Sequence, residues 1–174
     1  MTVNNIRILQ YDSRWRRIYE EEKAKILGVV GHWVVAIEHI GSTAVPGLGA
    51  KPIIDIIAAL GRLPDIENCI RPLQSIGYEY LGEYGMPGRH FLRKPPGDAT
   101  ARTHHLHIVE DESDLWEKHI LFRDYLRTHP EVAHKYYDLK KYFANKYGSN
   151  RDAYTEAKTS FIESVVRKAR PDSA

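Results

Sequence analysis

Apolar residues recur at helical steps at Trp15, Ile18, Tyr19 and Ile26, with Glu22 on the same stripe. Asp12 and Ser13 stand before them and suit an N-cap, and Gly28 and Gly31 close the segment. The period then changes. Trp33–Ile40 (WVVAIEHI) is rich in β-branched residues and predicts a strand, and Pro52–Leu60 (PIIDIIAAL) predicts a second, largely buried one. Pro64 and Asp65 open a helix with Ile66, Ile70, Leu73 and Ile76 inward, which Pro72 should kink or shorten. Tyr78–Glu83 and Arg89–Lys94 flank YGMPG and predict a hairpin, and His104–Glu110 (HHLHIVE) predicts another strand. After Asp111 only helical spacing remains. One helix runs from Ser113 to His129 and stops at Pro130. A second carries Val132, Tyr136, Leu139, Phe143 and Tyr147 as far as Gly148, and a third carries Tyr154, Phe161, Val165 and Ala169. A mixed sheet with a helical C-terminal half packed on it is an α+β (α/β) plan. Arg93–Thr103 is the most loop-like stretch, and Arg170–Ala174 reads as a frayed tail.

Composition narrows the function classes. A chain of 174 residues suits one domain, 1–174, able to bury a proper core. The net charge of +2 makes no case for nucleic acid as a partner. Cys69 is the one cysteine, so neither an intramolecular disulfide nor a cysteine-based zinc site can form, although nine histidines remain as metal ligands. The first residues lack the basic-then-apolar order of a secretory signal, and no run approaches the roughly 20 apolar residues of a membrane span. A cytoplasmic location without membrane attachment is the expectation.

The chemistry concentrates in HIGSTAVPGLGAKPIIDI, residues 39–56. Gly41-Ser42 follows a strand directly. Backbone N–H groups beside a serine hydroxyl can cradle a phosphate, and the same residues also suit an ordinary strand-ending turn. Asp55 lies between Ile53-Ile54 and Ile56-Ile57, in a run that should be buried. A buried carboxylate costs several kcal/mol unless it is paired or holds a metal. It therefore faces a ligand or its metal, or else forms a structural salt bridge, with Lys51 as the candidate.

Gly-Ser, twelve residues and then an Asp among apolar neighbours resembles the signature of the DNA polymerase β-type nucleotidyltransferase superfamily. The wording EHIGSTAVPGLGAKPIIDI resembles the GrpB family, also called UPF0157. Gly77-Tyr78, HLHIVE, FRDYLRTHPE and the Tyr154–Ile162 pattern match it as well, so the resemblance covers nearly the whole chain. It implies a nucleotidyltransferase-like mixed sheet and transfer of a nucleotidyl group from a nucleoside triphosphate to a small acceptor, with a divalent metal (Mg²⁺, Mn²⁺ or another transition metal). Fusion of related domains to dephospho-CoA kinase implies a link to coenzyme A metabolism. In this scheme Gly41, Ser42 and Thr43 hold phosphates, and Lys51, Arg89, Arg93 and Lys158 neutralise their charge. Asp55 binds the metal and, with Lys158, carries the catalysis.

One departure matters. The superfamily places a second carboxylate two residues after the first, because alternate strand side chains share a face. Here that residue is Ile57. On HHLHIVE, His105 and His107 share one face. Such a pair can hold Mn²⁺, Fe²⁺, Ni²⁺ or Zn²⁺, and it can equally be a pair of hydrogen-bonding residues. Arg89, Phe91 and Arg93 share a hairpin face, where the arginines either grip an anion or meet solvent. Lys158 either snorkels or points into a cleft. Glu38, His39 and Glu110 remain candidates to complete the site, and His129 reads as an end-of-helix residue. A ligand-binding module that keeps the fold without the reaction is the second expectation, and an RNA-binding protein a weaker third.

Overall fold

The chain is described here from a computed structural model covering residues 6–98 and 100–171. The readings that fall on the first five and last three residues lie outside that range. The helices are α1 (Arg14–Val30), α2 (Ile66–Ser75), α3 (Asp114–Thr128), α4 (Pro130–Tyr147) and α5 (Arg151–Ala169). The strands are β1 (Val34–Ile40), β2 (Ile54–Leu60), β3 (Glu79–Tyr80), β4 (His90–Lys94) and β5 (His104–Glu110).

The α+β plan is observed, with some local differences. Gly28 lies within α1, where a Cβ would meet nothing, and Gly31 alone follows its end. Pro72 sits in the last turn of α2, and the helix still reaches Ser75. The bond that Pro72 cannot make falls on exposed Asn68, whose carbonyl can turn to water. The first hairpin arm pairs as a ladder only at Glu79 and Tyr80. Beyond it Gly82, Tyr84, Gly85 and Gly88 all take positive φ, which pulls the chain out of the sheet. In α4 the buried stripe is Ala133, Tyr136, Lys140 and Ala144, one residue away from the expected Leu139 and Phe143.

The sheet order is β1-β2-β5-β4-β3. Only β2 and β5 run parallel among adjacent strands; the other pairs are antiparallel. One face carries Ile54, Ile56, Ala58, Leu60, Leu92, Leu106 and Ile108 against Trp15, Tyr19 and Ile26 of α1 and Ile66, Cys69 and Leu73 of α2. Each large aliphatic buried there contributes about 1.5–3 kcal/mol. On the opposite face Leu115, Trp116 and Ile120 of α3 pack on Ile40, Ile57 and Val109. The later helices join α3 through Phe122, Tyr136, Val165 and Val166, together with Val45 and Leu48 from the loop after β1.

The register sets cross-strand rows on this second face, and beside the row of Ala36, Ala59 and Val109 lie two that bear on the site. Glu38, Ile57, His107 and Phe91 form one row, and α3 covers it around Ile57. Ile40, Asp55, His105, Arg93 and Glu79 form the other, one pleat away. That second row is where the site lies.

Candidate functional site

Asp55 is the second residue of β2, against the turn that Gly41 begins. Gly41 has φ 72° and ψ −170°, a conformation essentially restricted to glycine. A Cβ on it would stand 2.9 Å from Asp55 Oδ2. The group that approaches the Gly41 backbone is thus the Asp55 carboxylate itself, so the glycine serves the turn and the carboxylate together. Burial raises the pKa of the Tyr136 phenol in α4, with Ser42 opposing and Asp55 adding to the rise. Thr43 turns inward. It is buried, its Oγ1 lies 2.9 Å from His39 Nε2, and it donates to the Ile53 carbonyl at 3.4 Å. Its side chain therefore holds the turn and is not offered to a ligand.

Asp55 lies deep among protein atoms, yet 31% of its side chain is accessible. Burial works to raise its pKa. His105 and His107 more than offset this and hold it well below the ordinary range. His105 Nδ1 is 3.3 Å and His107 Nε2 3.7 Å from Asp55 Oδ1. The second ring nitrogens, His105 Nε2 and His107 Nδ1, are buried without a partner. Burial lowers the pKa of His107, with Asp55 opposing, so His107 is neutral at neutral pH. Both histidines crowd one carboxylate oxygen. Among the described residues no three His, Cys, Asp or Glu side chains are disposed to hold a metal ion.

Cations surround this carboxylate. Lys158 turns inward over the Tyr154 ring at 4.4 Å and does not snorkel outward. Its pKa falls to about 7 through burial and the nearness of Lys51, with Asp55 acting in the opposite sense. Lys51 lies 5.0 Å over the same ring; burial lowers its pKa and Asp55 partly restores it. Lys51 and Asp55 are thus electrostatic neighbours, and no ion pair within 4 Å joins them. Lys140 donates to the Gly49 carbonyl, is 2% exposed, and is held at about pKa 7 by burial and by Lys158 and Lys51.

The two expected arginines stand further off. Arg93 donates from Nε to Glu79 Oε2 at 2.7 Å. Arg89 donates to the Glu83 and Tyr84 carbonyls and lies over Phe91 at 4.9 Å. Glu38 accepts from Arg123 Nη1 at 2.7 Å. His39 stacks on Tyr19 at 4.7 Å, and burial lowers its pKa to about 4. Glu110 is exposed at the far end of β5. None of these three completes a ligand set around Asp55.

Three residues escaped the sequence reading. His119 of α3 brings its ring 5.2 Å from His107. Burial and then His107 lower its pKa to about 3. Lys140 could have been found, because it stands four residues from both Tyr136 and Ala144 on the buried stripe. A reading that admits only apolar residues to a buried stripe passes over it. Arg102, whose Nε is buried without a partner, sits in a loop with no periodicity to reveal it.

A family model described as GrpB protein matches residues 5–168. The UPF0157 protein YqkA of Bacillus subtilis is 34% identical over 165 residues, which are 95% of this chain but 47% of YqkA, so the chain spans about half of that relative. The crystal structure of GrpB from Enterococcus faecalis superposes with a TM-score of 0.86 at 36% identity, covering 94% of this chain and 96% of that one. The Cid1 poly(U) polymerase superposes at a TM-score of 0.46 and 12% identity, covering 79% of this chain and 43% of that one, too slight a likeness to speak to activity.

Proposed function

The chain belongs to the GrpB family, and we propose that its Asp55 cleft takes a nucleotide or another phosphorylated ligand and, with a divalent metal, transfers a nucleotidyl group to a small acceptor. The observation that supports this is the charge balance. One accessible carboxylate lies near Lys51 and Lys158, and Lys140 lies near both lysines, so their ammonium groups repel one another. Crowded buried ammonium groups either lose a proton or take up a counter-anion, and a polyphosphate provides several negative charges on one chain. Gly41 and Ser42 would present backbone N–H groups and a hydroxyl to it.

The donor set suits a metal that brings most of its own ligands. Asp55, with His107 or His105 beside it, would hold one side, and phosphate oxygens and water the remainder. When bound, the metal would neutralise charge developing on the phosphates. In the transfer, the acceptor oxygen or nitrogen bonds to the α-phosphorus. The bond to the β-bridging oxygen breaks, and pyrophosphate leaves with the electron pair. Asp55, held at low pKa, is a weak base, so the acceptor proton passes to water. The lysines then act by positioning and by stabilising charge.

A specific observation favours the alternative, a binding module without turnover. Ile57, where the superfamily carries its second carboxylate, is 0% exposed and packed beneath α3. Titration with Mn²⁺, Ni²⁺, Zn²⁺ and Mg²⁺ in the presence of a nucleoside triphosphate, on wild type and His107→Ala, tests the site. Metals that accept imidazole should bind more tightly, and the substitution should remove most of that difference. Labelled nucleotide transferred to an added acceptor supports the enzyme. Ligand binding without transfer under every metal selects the binding module.

A further inference from the structure

Asp55 has two flanks in the sheet. On the β1 side it meets the Gly41-Ser42 turn. On the other side His105 and then Arg93 follow it in register on β5 and β4. Two strand spacings separate Arg93 from Asp55, about 10 Å between Cα atoms. Glu79, the next residue in the row, accepts from Arg93 Nε at 2.7 Å and from Gly97 N at 3.3 Å. The guanidinium is fixed at its base, and among the described residues no hydrogen bond engages its two terminal nitrogens. Its side chain is 13% exposed.

Arg102 lies at the same end. Thr103 N donates to Lys94 O at 2.9 Å, which brings the chain at Arg102 alongside the end of β4. Arg102 Nε is buried and unpartnered, and the residue makes no ion pair among the described residues. Burial, then Arg93, then Arg151 lower its pKa, which records cations crowded together. The nearby carboxylates are engaged: Glu79 with Arg93, and Asp98 with Thr100 through bonds of 2.8 and 2.7 Å. An arginine remains protonated in such surroundings and needs an anion.

Taking Asp55 and the serine turn as the donor end of the cleft, as proposed above, we infer that Arg93 and Arg102 form a second anion subsite, which binds a phosphate or carboxylate group on the acceptor. Two guanidinium groups suit either oxyanion, because each presents paired N–H donors to two oxygens. The acceptor then enters from the β4 side and the donor from the β1 side, with Asp55 between them. This assigns Arg93 to the acceptor and separates it from the donor phosphates.

The test follows arginine Nε–H resonances by NMR in the whole chain. Inorganic phosphate or acetate is titrated with and without saturating inorganic tripolyphosphate, on wild type and Arg102→Gln. The expected result is saturable movement of the Arg93 and Arg102 signals that persists under tripolyphosphate. Arg102→Gln should weaken that anion at least tenfold and leave tripolyphosphate affinity within twofold. The stronger of phosphate and acetate identifies the acceptor group. Unmoved arginine signals, unchanged anion affinity in Arg102→Gln, or displacement of the small anion by tripolyphosphate would overturn the subsite. Tripolyphosphate that fails to bind while the arginines still respond would remove the donor site alone and leave the anion subsite standing.

Discussion

The two faces of the sheet carry polar groups under opposite conditions. Beneath α1 and α2, the buried Glu22 carboxylate accepts from Tyr78 Oη at 2.8 Å and from Lys94 Nζ at 2.9 Å. His104 Nε2 stands 3.7 Å away. His104 Nε2 has no hydrogen-bond partner of its own, but the Glu22 carboxylate is satisfied, and the cluster ties α1 to β4 and β5. On the other face Asp55 is accessible, both histidines beside it have unpartnered nitrogens, and three lysines crowd without a matching set of acids. The buried carboxylate of the first face thus has its cation and its donor within the fold. Around the accessible carboxylate of the second face, the proposed ligand would supply the missing anion.

The largest effect expected is on the Glu22 face. Glu22→Ala strands Lys94 and Tyr78 and should remove about 3–5 kcal/mol of stability. Leu106→Ala, at 0% exposure, should remove about 2–5 kcal/mol. Urea unfolding measures both, and neither variant should change polyphosphate affinity under conditions where it stays folded. A loss of binding from either one, without unfolding, would break the comparison.

Gly41→Ala should cost about 1–3 kcal/mol through backbone strain. Unlike the first two it should also weaken metal-dependent binding, because the new Cβ meets Asp55 Oδ2. Isothermal titration beside urea unfolding separates the two effects.

The pH dependence is smaller and has opposite signs for stability and binding. Lys140 and Lys158 titrate at about 7 when folded, against an ordinary 10.5. Between those values the unfolded chain binds more protons, so stability without ligand should rise with pH above 7 and be flat with respect to these groups below it. Each contributes at most about 1.4 kcal/mol per pH unit. Polyphosphate affinity should fall over the same window as the lysines lose charge. Thermal melts and titrations at pH 6.5, 7.5 and 8.5 check both, and parallel changes would contradict the charge argument.

Much of this division was legible in the sequence. Asp55 among isoleucines, and the run of glycines around Ser42, reported a carboxylate and a special turn without any coordinates. Alternation in HHLHIVE put His105 and His107 on one face. Register and helix placement were not legible. That α3 covers Ile57 and brings His119 to His107 depends on packing between distant segments. That Thr43 is consumed by His39 depends on a turn that folds back on its own strand. Glu22 was seen on the α1 stripe, but its partners Tyr78, Lys94 and His104 come from three separate segments that no local pattern connects.

Asp55→Asn is the most direct test of whether this face serves a ligand. Titrate a non-hydrolysable nucleoside triphosphate with and without Mn²⁺ into wild type and variant, and measure the stability of each by urea. His105 and His107 favour the ionised carboxylate, so neutralising it should cost some stability at neutral pH, and the ligand account predicts a variant that stays folded. It also predicts that the metal-dependent increment in affinity disappears while metal-free affinity holds. A loss of several kcal/mol of stability with unchanged ligand binding would contradict it and make Asp55 a structural partner of His105 and His107.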